Sequence, residues 1–176
     1  MPSLSADITR KMEVLGRSGF GGWLSAFFSP GSFAVMVYRF GRFGRDLRVP
    51  VVRQLIGALY YVLFYFVQMF TGISIQAYAR IGRGFVVRNF SCIFVLAESI
   101  GDNFTVCEGV TVGNIRGRPR LAIIGNNVYL EPGCKVLGDI TIGDNVVVRA
   151  NSLVIKDVPS NSIAAGNPAR ISPLTT

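Results

Sequence analysis

From residue 73 onward, an aliphatic residue recurs at every sixth position of the chain. Three turn sequences, IGDN, IGNN and IGDN, lie in the same phase at residues 100–103, 124–127 and 142–145. A period of six is typical of a parallel β-helix, in which each coil turns aliphatic side chains inward and makes its corners with short turns. Neither the alternation of a flat sheet nor a helical period fits. The phased residues are Ile75, Ile81, Val87 and Ile93, then after one extra residue Ile100, Val106 and Val112, and after a longer segment Ile124, Leu130, Val136, Ile142, Val148 and Val154.

The longer segment, GNIRGRPRLAI at residues 113–123, differs from the repeats in being polar and basic. Because it preserves the six-residue phase on either side, the sequence predicts a loop that leaves the β-helix and returns to it. Arg116, Arg118 and Arg120 are candidate contacts for an anionic substrate. The alternative is an ordinary solvated loop.

The chain ahead of the repeats is predicted to be helical. Eight basic and three acidic residues lie among the first 70, so the excess of positive charge is concentrated there. Four arginines spaced three apart form a basic stripe along one side of a predicted helix. The apolar run LIGALYYVLFYFVQMF at residues 55–70 follows, and it is shorter than the ~20 residues of a membrane span. The arginines are Arg39, Arg42, Arg45 and Arg48.

A basic stripe beside an apolar run favours an interfacial or re-entrant helix on an anionic membrane surface over a nucleic-acid groove. The alternative is a helix buried in an oligomer. We therefore predict a helical, membrane-associating region at residues 1–71, a β-helix at residues 72–158 with its excursion loop at 113–123, and a C-terminal tail at residues 159–176.

The chain contains no histidine, which excludes imidazole metal sites, Ser-His-Asp triads and histidine bases. No metal site is predicted. The three cysteines, Cys92, Cys107 and Cys134, have no C-x-x-C spacing, and we predict reduced thiols in a cytoplasmic protein. Each is expected to be a small buried apolar side chain.

Two segments resemble the hexapeptide-repeat acyltransferases. They are GISIQAYARIGRGFVV at residues 72–87 and GDITIGDNVVVRANSLVIKDVPSNSIAAGNPARI at residues 138–171. The likeness is to the serine acetyltransferase branch, and within it to polysaccharide-biosynthesis members of the colanic acid type. This resemblance implies a left-handed parallel β-helix, a homotrimer with its active site between neighbouring subunits, and transfer of an acetyl group from acetyl-CoA to a hydroxyl.

The resemblance also implies that the family's catalytic groups are replaced. The catalytic histidine of the family matches Asn89, with Arg88 beside it, and the aspartate that orients that histidine matches Ser74. Further family histidines match Cys107 or Glu108 and the loop near Leu121. Neither arginine nor asparagine takes up a proton near neutral pH, so the general base of the family is missing.

Glu108 is a candidate replacement base. Counting one coil plus the extra residue, Asn89 lies directly below Glu108 and Arg88 lies below Cys107. Glu108 would then act as base and Arg88 would steer an anionic sugar, although an arginine neighbour lowers the pKa of a carboxylate and weakens it as a base. The alternative is a structural Arg88–Glu108 ion pair. Cys107 as a nucleophile would need an activating base, and the sequence shows none.

The acetyl-CoA groove that the resemblance implies is altered as well. Family members have Gly-Ala pairs where this chain has Glu131-Pro132 and Arg149-Ala150. Pro132 has no N–H to donate to a cofactor. Glu131 and Arg149 are one full coil apart, which predicts an ion pair across the groove. In the tail, Gly166 and Pro168 match a cofactor-side motif of the family; the alternative is that they turn the chain off the last coil.

Three functions are compatible with these residues. The first is acetyl transfer from acetyl-CoA to a hydroxyl of an exopolysaccharide or lipid-linked sugar at the cytoplasmic face of the membrane. The second is a catalytically inactive homologue that acts as a trimeric, membrane-associated scaffold or regulator beside polysaccharide-biosynthesis membrane proteins. Serine acetylation in the cytosol is the least favoured, because the residues of the family's serine site are absent. No nucleic-acid partner is expected.

Overall fold

The computed structural model describes residues 4–115 and 120–174 of the chain, and it consists of four helices followed by a β-helix. All thirteen phased aliphatic residues are buried inside the β-helix, as the six-residue period predicts. The helices are α1 (Leu4–Val14), α2 (Gly19–Phe27), α3 (Pro30–Asp46) and α4 (Pro50–Thr71). The strands are β1 (Ile73–Ile75), β2 (Arg80–Ile81), β3 (Val86–Val87), β4 (Ile93–Val95), β5 (Ser99–Ile100), β6 (Thr105–Val106), β7 (Thr111–Gly113), β8 (Ile123–Ile124), β9 (Tyr129–Leu130), β10 (Lys135–Leu137), β11 (Thr141–Ile142), β12 (Val147–Val148), β13 (Leu153–Val154), β14 (Ser162–Ala165) and β15 (Arg170–Pro173).

The strands form three parallel sheets, because each coil contributes one strand to each face. The first sheet has the order β1-β4-β7-β10-β13, the second β11-β8-β5-β2, and the third β15-β14-β12-β9-β6-β3. Among the strands of the described residues, only β15 pairs in the antiparallel direction, on β14. Parallel pairing thus continues past residue 158, through β14. The architecture is the parallel β-helix that the six-residue period predicted, with the left hand that the resemblance implied.

The register at one corner differs from the prediction. Ile93 pairs with Ile73, whereas Val95 is the residue that stacks on Ile75. The extra residues therefore lie before Ile93, at the corner formed by residues 88–92, and not after it. In this enlarged corner, Ser91 and Cys92 have positive φ angles of 100° and 53°. Such angles are uncommon for residues with a side chain. Cys92 is exposed there, so the prediction of a buried side chain is wrong for this cysteine and confirmed for the other two.

Two of the helices begin at proline and pack closely on each other. Pro30 and Pro50 occupy the first helical positions, where the missing N–H has no cost. Gly72 ends α4 in the left-handed conformation, and its N–H donates to the carbonyl of Gln68 at 2.9 Å. A Cβ on Gly41 would lie 2.3 Å from the ring of Tyr60, so α3 and α4 can approach this closely only because residue 41 is glycine.

The helices are fixed to the first coil by a buried ion pair. Asp7, which is 2% exposed, binds Arg39 with an Oδ2–Nε distance of 2.9 Å and also accepts the N–H of Phe85 at 2.9 Å. The guanidinium of Arg39 donates in turn to the carbonyl of Ile81 at 2.7 Å. These contacts of Asp7 and Arg39 join α1, α3 and the β-helix.

Candidate functional site

The residues implicated by sequence lie in one column along the third sheet. Two residues follow each of the strands β3, β6, β9 and β12, and the registers of these strands stack them directly above one another. We call this set the corner column. It consists of Arg88-Asn89, Cys107-Glu108, Glu131-Pro132 and Arg149-Ala150.

At the lower end of the corner column, Asn89 and Glu108 are hydrogen-bonded. The side-chain amide of Asn89 donates to Oε2 of Glu108 at 2.8 Å. The stacking of Asn89 below Glu108 is therefore confirmed. A carboxylate therefore lies next to Asn89, to which the resemblance assigns the family's catalytic histidine.

Arg88 does not pair with Glu108. Its guanidinium donates to the hydroxyl of Tyr129, which lies two coils away, and this hydrogen bond together with the phenol's charge raises the pKa of Arg88. The predicted Arg88–Glu108 ion pair is wrong, because Asn89 takes the carboxylate and the arginine side chain extends along the column instead. Tyr129 is a site residue that the sequence analysis missed. The only signal was an aromatic hydroxyl two positions before Glu131.

Cys107 lies beneath the same tyrosine. Its thiol donates to the hydroxyl of Tyr129 at 3.4 Å, and the residue is 2% exposed. Burial raises the pKa of the Cys107 thiol. The protonated form is therefore favoured at neutral pH, which argues against Cys107 as a nucleophile.

At the upper end of the column, Glu131 binds two partners of the next coil. Nη1 of Arg149 lies 2.8 Å from Oε1, so the predicted ion pair is confirmed. The second oxygen, Oε2, accepts the backbone N–H of Ala150 at 2.9 Å. This second contact was not predicted from the sequence. The resemblance places the alanines of the family's acetyl-CoA groove at positions 132 and 150. Here Pro132 has no N–H, and the N–H of Ala150 is already hydrogen-bonded to Glu131.

The remaining candidates lie near the column or away from it. Gly166 lies at the turn between β14 and β15, and its N–H donates to the hydroxyl of Ser152 at 3.0 Å. Pro168 is exposed in the same turn, which takes the chain off the last parallel strand. Ser74 belongs to the first sheet, where it is 5% exposed and pairs with Phe94.

The excursion loop lies partly outside the described residues. Arg116 and Arg118 belong to that part, while Arg120 forms an exposed ion pair with Asp139 at 3.4 Å. Leu121 is buried where the chain rejoins the β-helix. Within the described residues, no group of three or more His, Cys, Asp or Glu side chains is placed to hold a metal ion.

The fold and the repeats define a class of protein. Residues 122–156 match the family described as bacterial transferase hexapeptide (six repeats). A crystal structure of serine acetyltransferase from Brucella abortus superposes with a TM-score of 0.81 at 26% identity, over 98% of this chain and 68% of that one. The protein thus has the fold of the hexapeptide-repeat transferases.

Relatives narrow the class to one family. The serine acetyltransferase of Helicobacter pylori is 33% identical over 152 residues, which cover 84% of each chain. That of Synechococcus elongatus is 33% identical over 145 residues, but this chain spans only 57% of its length. This chain belongs to the serine acetyltransferase family of hexapeptide acyltransferases.

Proposed function

We propose that this chain keeps the fold of the family without its acetyl transfer, and acts as a non-catalytic, membrane-associated scaffold. The observation that carries the proposal is the double contact of Glu131. Its carboxylate occupies the N–H of Ala150 and binds Arg149, so the groove positions expected to receive acetyl-CoA are filled by the protein itself. The proline at position 132 removes the other donor.

The lower half of the corner column supports the same proposal. Transfer to a hydroxyl requires a group that accepts its proton, and the family's base position holds the amide of Asn89. The nearby Cys107 thiol is buried with a raised pKa. Arg88 donates a hydrogen bond to the hydroxyl of Tyr129, and an arginine cannot accept a proton from a substrate hydroxyl.

Membrane association is supported by the exposed side of α4. This helix is long and apolar enough to cross a membrane, and so is the bent pair of α2 and α3 if the pair counts as one span. Only 11% of the 18-residue apolar stretch of α4 is buried. Because α4 also packs on α3 and on the first coil, we infer an interfacial position at the cytoplasmic face of the membrane.

The scaffold is proposed to be a homotrimer that works with membrane proteins of polysaccharide biosynthesis. These two assignments rest on the resemblance to polysaccharide-biosynthesis acyltransferases. A trimer would bring three copies of the helical region to one surface. Multivalent attachment of this kind strengthens membrane binding without any new contact.

Acetyl transfer is the second candidate function. The Asn89–Glu108 hydrogen bond favours it, because it holds a carboxylate at the base position. The donor would be acetyl-CoA, and the acceptor would be serine, as the names of the relatives indicate, or a hydroxyl of an exopolysaccharide or lipid-linked sugar. Acetyl-CoA could bind in this groove only after Glu131 releases the N–H of Ala150.

An assay of CoA release separates the two candidates. The purified full chain is given acetyl-CoA with L-serine, or with a hexose-bearing polyprenyl phosphate, and the free thiol of CoA is measured. The scaffold proposal predicts no release above the rate without protein. Release that disappears in Glu108→Gln but persists in Glu13→Gln, an exposed glutamate on α1, would establish the transferase instead.

A further inference from the structure

A polar cavity of about 530 Å³ lies between the end of α3 and the second sheet, away from the corner column. Three arginines converge on it from different elements, two from α3 and one from β2. Two carboxylates also line it, so the lining has an excess of positive charge. The lining residues are Arg42, Arg45, Asp46, Tyr78, Arg80, Glu98 and Ser99.

Two of the three arginines in this cavity are available for a ligand. Arg42 forms an ion pair with Asp46 at 3.0 Å, one turn further along α3. Arg45 instead lies over the ring of Tyr78, with 5.8 Å between its Cζ and the ring centroid. Arg45 and Arg80 are both exposed, and neither takes part in an ion pair within residues 4–115 and 120–174.

Arg45 also connects the polar cavity to an aromatic surface. It lines two smaller cavities, of about 300 and 150 Å³, whose other walls include Tyr60 and Tyr61 from α4. Tyr61 and Tyr65 are exposed beside an apolar stripe on α4. The apolar stripe consists of Leu55, Leu59, Val62, Phe66, Met69 and Phe70, each at least half exposed.

We propose that this cavity binds the phosphate headgroup of an anionic membrane lipid, whose acyl chains lie along the apolar stripe. Guanidinium groups suit phosphate because they offer several N–H donors in one plane. Tyrosines suit the level of lipid headgroups, because their rings are apolar while their hydroxyls are polar. The assignment rests on the membrane association proposed above and gives it a specific headgroup site.

A lipid fits this surface better than a second copy of the chain. A copy packed face to face would bring two cavities of net positive charge together, and like charges repel. An anionic lipid balances the net positive charge of the cavity and covers the apolar stripe at the same time. Both features are then explained by one occupant.

Flotation of the full chain with vesicles tests the site. The vesicles contain phosphatidylcholine alone, or phosphatidylcholine with phosphatidylglycerol. We expect tighter binding to the phosphatidylglycerol vesicles, and a loss of about thirtyfold for Arg45→Gln with Arg80→Gln, since each basic residue near the surface contributes ~1 kcal/mol and about 1.4 kcal/mol is a factor of ten. The matched control is Lys156→Gln with Arg170→Gln, which removes the same charge from exposed positions of the last coil. Its binding should stay within about twofold of the wild type.

The outcomes separate the headgroup site from the membrane association. Equal losses in the two double variants would show that only net charge matters and would overturn the site. Equal binding of the wild type to both kinds of vesicle would overturn it as well, while leaving membrane association intact. If inorganic phosphate binds the chain but phosphatidylglycerol gives no preference, the site belongs to a soluble phosphate. Wild-type chain that floats with neither vesicle, and sediments as a larger oligomer, would overturn both proposals.

Discussion

Glu131 and Ala150 are joined by a hydrogen bond of 2.9 Å, from the backbone N–H of Ala150 to Oε2 of Glu131. The other oxygen of the same carboxylate binds Arg149. An exposed ion pair contributes only ~0–1 kcal/mol to stability. The consequence of the arrangement for binding is larger, because it fills a groove where the resemblance places acetyl-CoA.

Removing the two groove side chains should restore cofactor binding. In Glu131→Gly with Pro132→Ala, the N–H of Ala150 loses its acceptor and residue 132 gains an N–H. We expect acetyl-CoA to bind with a dissociation constant at or below about 1 mM, measured by calorimetry on the full chain. The matched control, Asp139→Gly with Pro159→Ala, changes an exposed carboxylate and an exposed proline away from the column. If the control gains the same affinity, the groove explanation is wrong.

The buried Asp7–Arg39 pair should be important for stability. Asp7→Asn leaves the guanidinium of Arg39 without its carboxylate, and breaking a buried pair costs about 3–5 kcal/mol. Asp46→Asn removes the partner of Arg42. The carboxylate of Asp46 is largely exposed, so this substitution should cost less than about 1 kcal/mol. Urea denaturation followed by circular dichroism gives both values. Similar losses in the two variants would contradict the anchoring role of Asp7.

Two glycines of the helical region should respond to alanine in opposite directions. Gly41→Ala places a Cβ 2.3 Å from the ring of Tyr60 and separates α3 from α4, which we expect to destabilise the chain by about 1–3 kcal/mol. Gly57→Ala meets nothing within 4 Å and should stabilise α4 by up to about 1 kcal/mol. Thermal unfolding measures both effects. A stabilising Gly41→Ala would show that the two helices do not pack as described.

The stability of the fold should depend on pH through Lys11. Burial lowers the pKa of Lys11 from 10.5 to about 8, and its ammonium lies 3.1 Å from the hydroxyl of Ser32. Between these two values the unfolded chain binds more protons than the folded one, so the free energy of unfolding contributed by Lys11 rises with pH in that interval. Below about pH 8 this contribution is constant and unfavourable.

Comparison with Lys11→Met isolates the contribution of this ammonium from that of every other titrating group in the chain. The difference in unfolding free energy between variant and wild type should be largest at pH 7 and shrink towards pH 10. Urea denaturation at several pH values measures that difference. A difference that stays constant from pH 7 to pH 10 would contradict the lowered pKa.

Most of the β-helix could be predicted from sequence, because its core requirement is local. An inward aliphatic residue is needed once on each face of each coil, so residues such as Val106 and Val148 reveal the coil by spacing alone. The same arithmetic predicted the Glu131–Arg149 pair, which spans one full coil of eighteen residues. Spacing failed at the corner formed by residues 88–92, where backbone in unusual conformations absorbs extra residues.

The candidate site could be predicted only in part. Stacking positions follow from counting, so Asn89 was expected below Glu108. The direction of a long side chain does not follow from counting, and Arg88 reaches Tyr129 across two coils. Hydrogen bonds from a side chain to the backbone are equally hard to predict from a sequence. The contact between Glu131 and the N–H of Ala150 depends on the backbone conformation at the corner of the coil.

Titration of acetyl-CoA into the wild-type full chain tests the central claim most directly. The claim is that Glu131 closes the groove, so we expect no measurable heat of binding up to about 1 mM acetyl-CoA. The Glu131→Gly with Pro132→Ala variant, run on the same day, shows that the method detects binding when the groove is open. Micromolar binding by the wild type would contradict the account, because the cofactor would then bind with Glu131 and Arg149 in place.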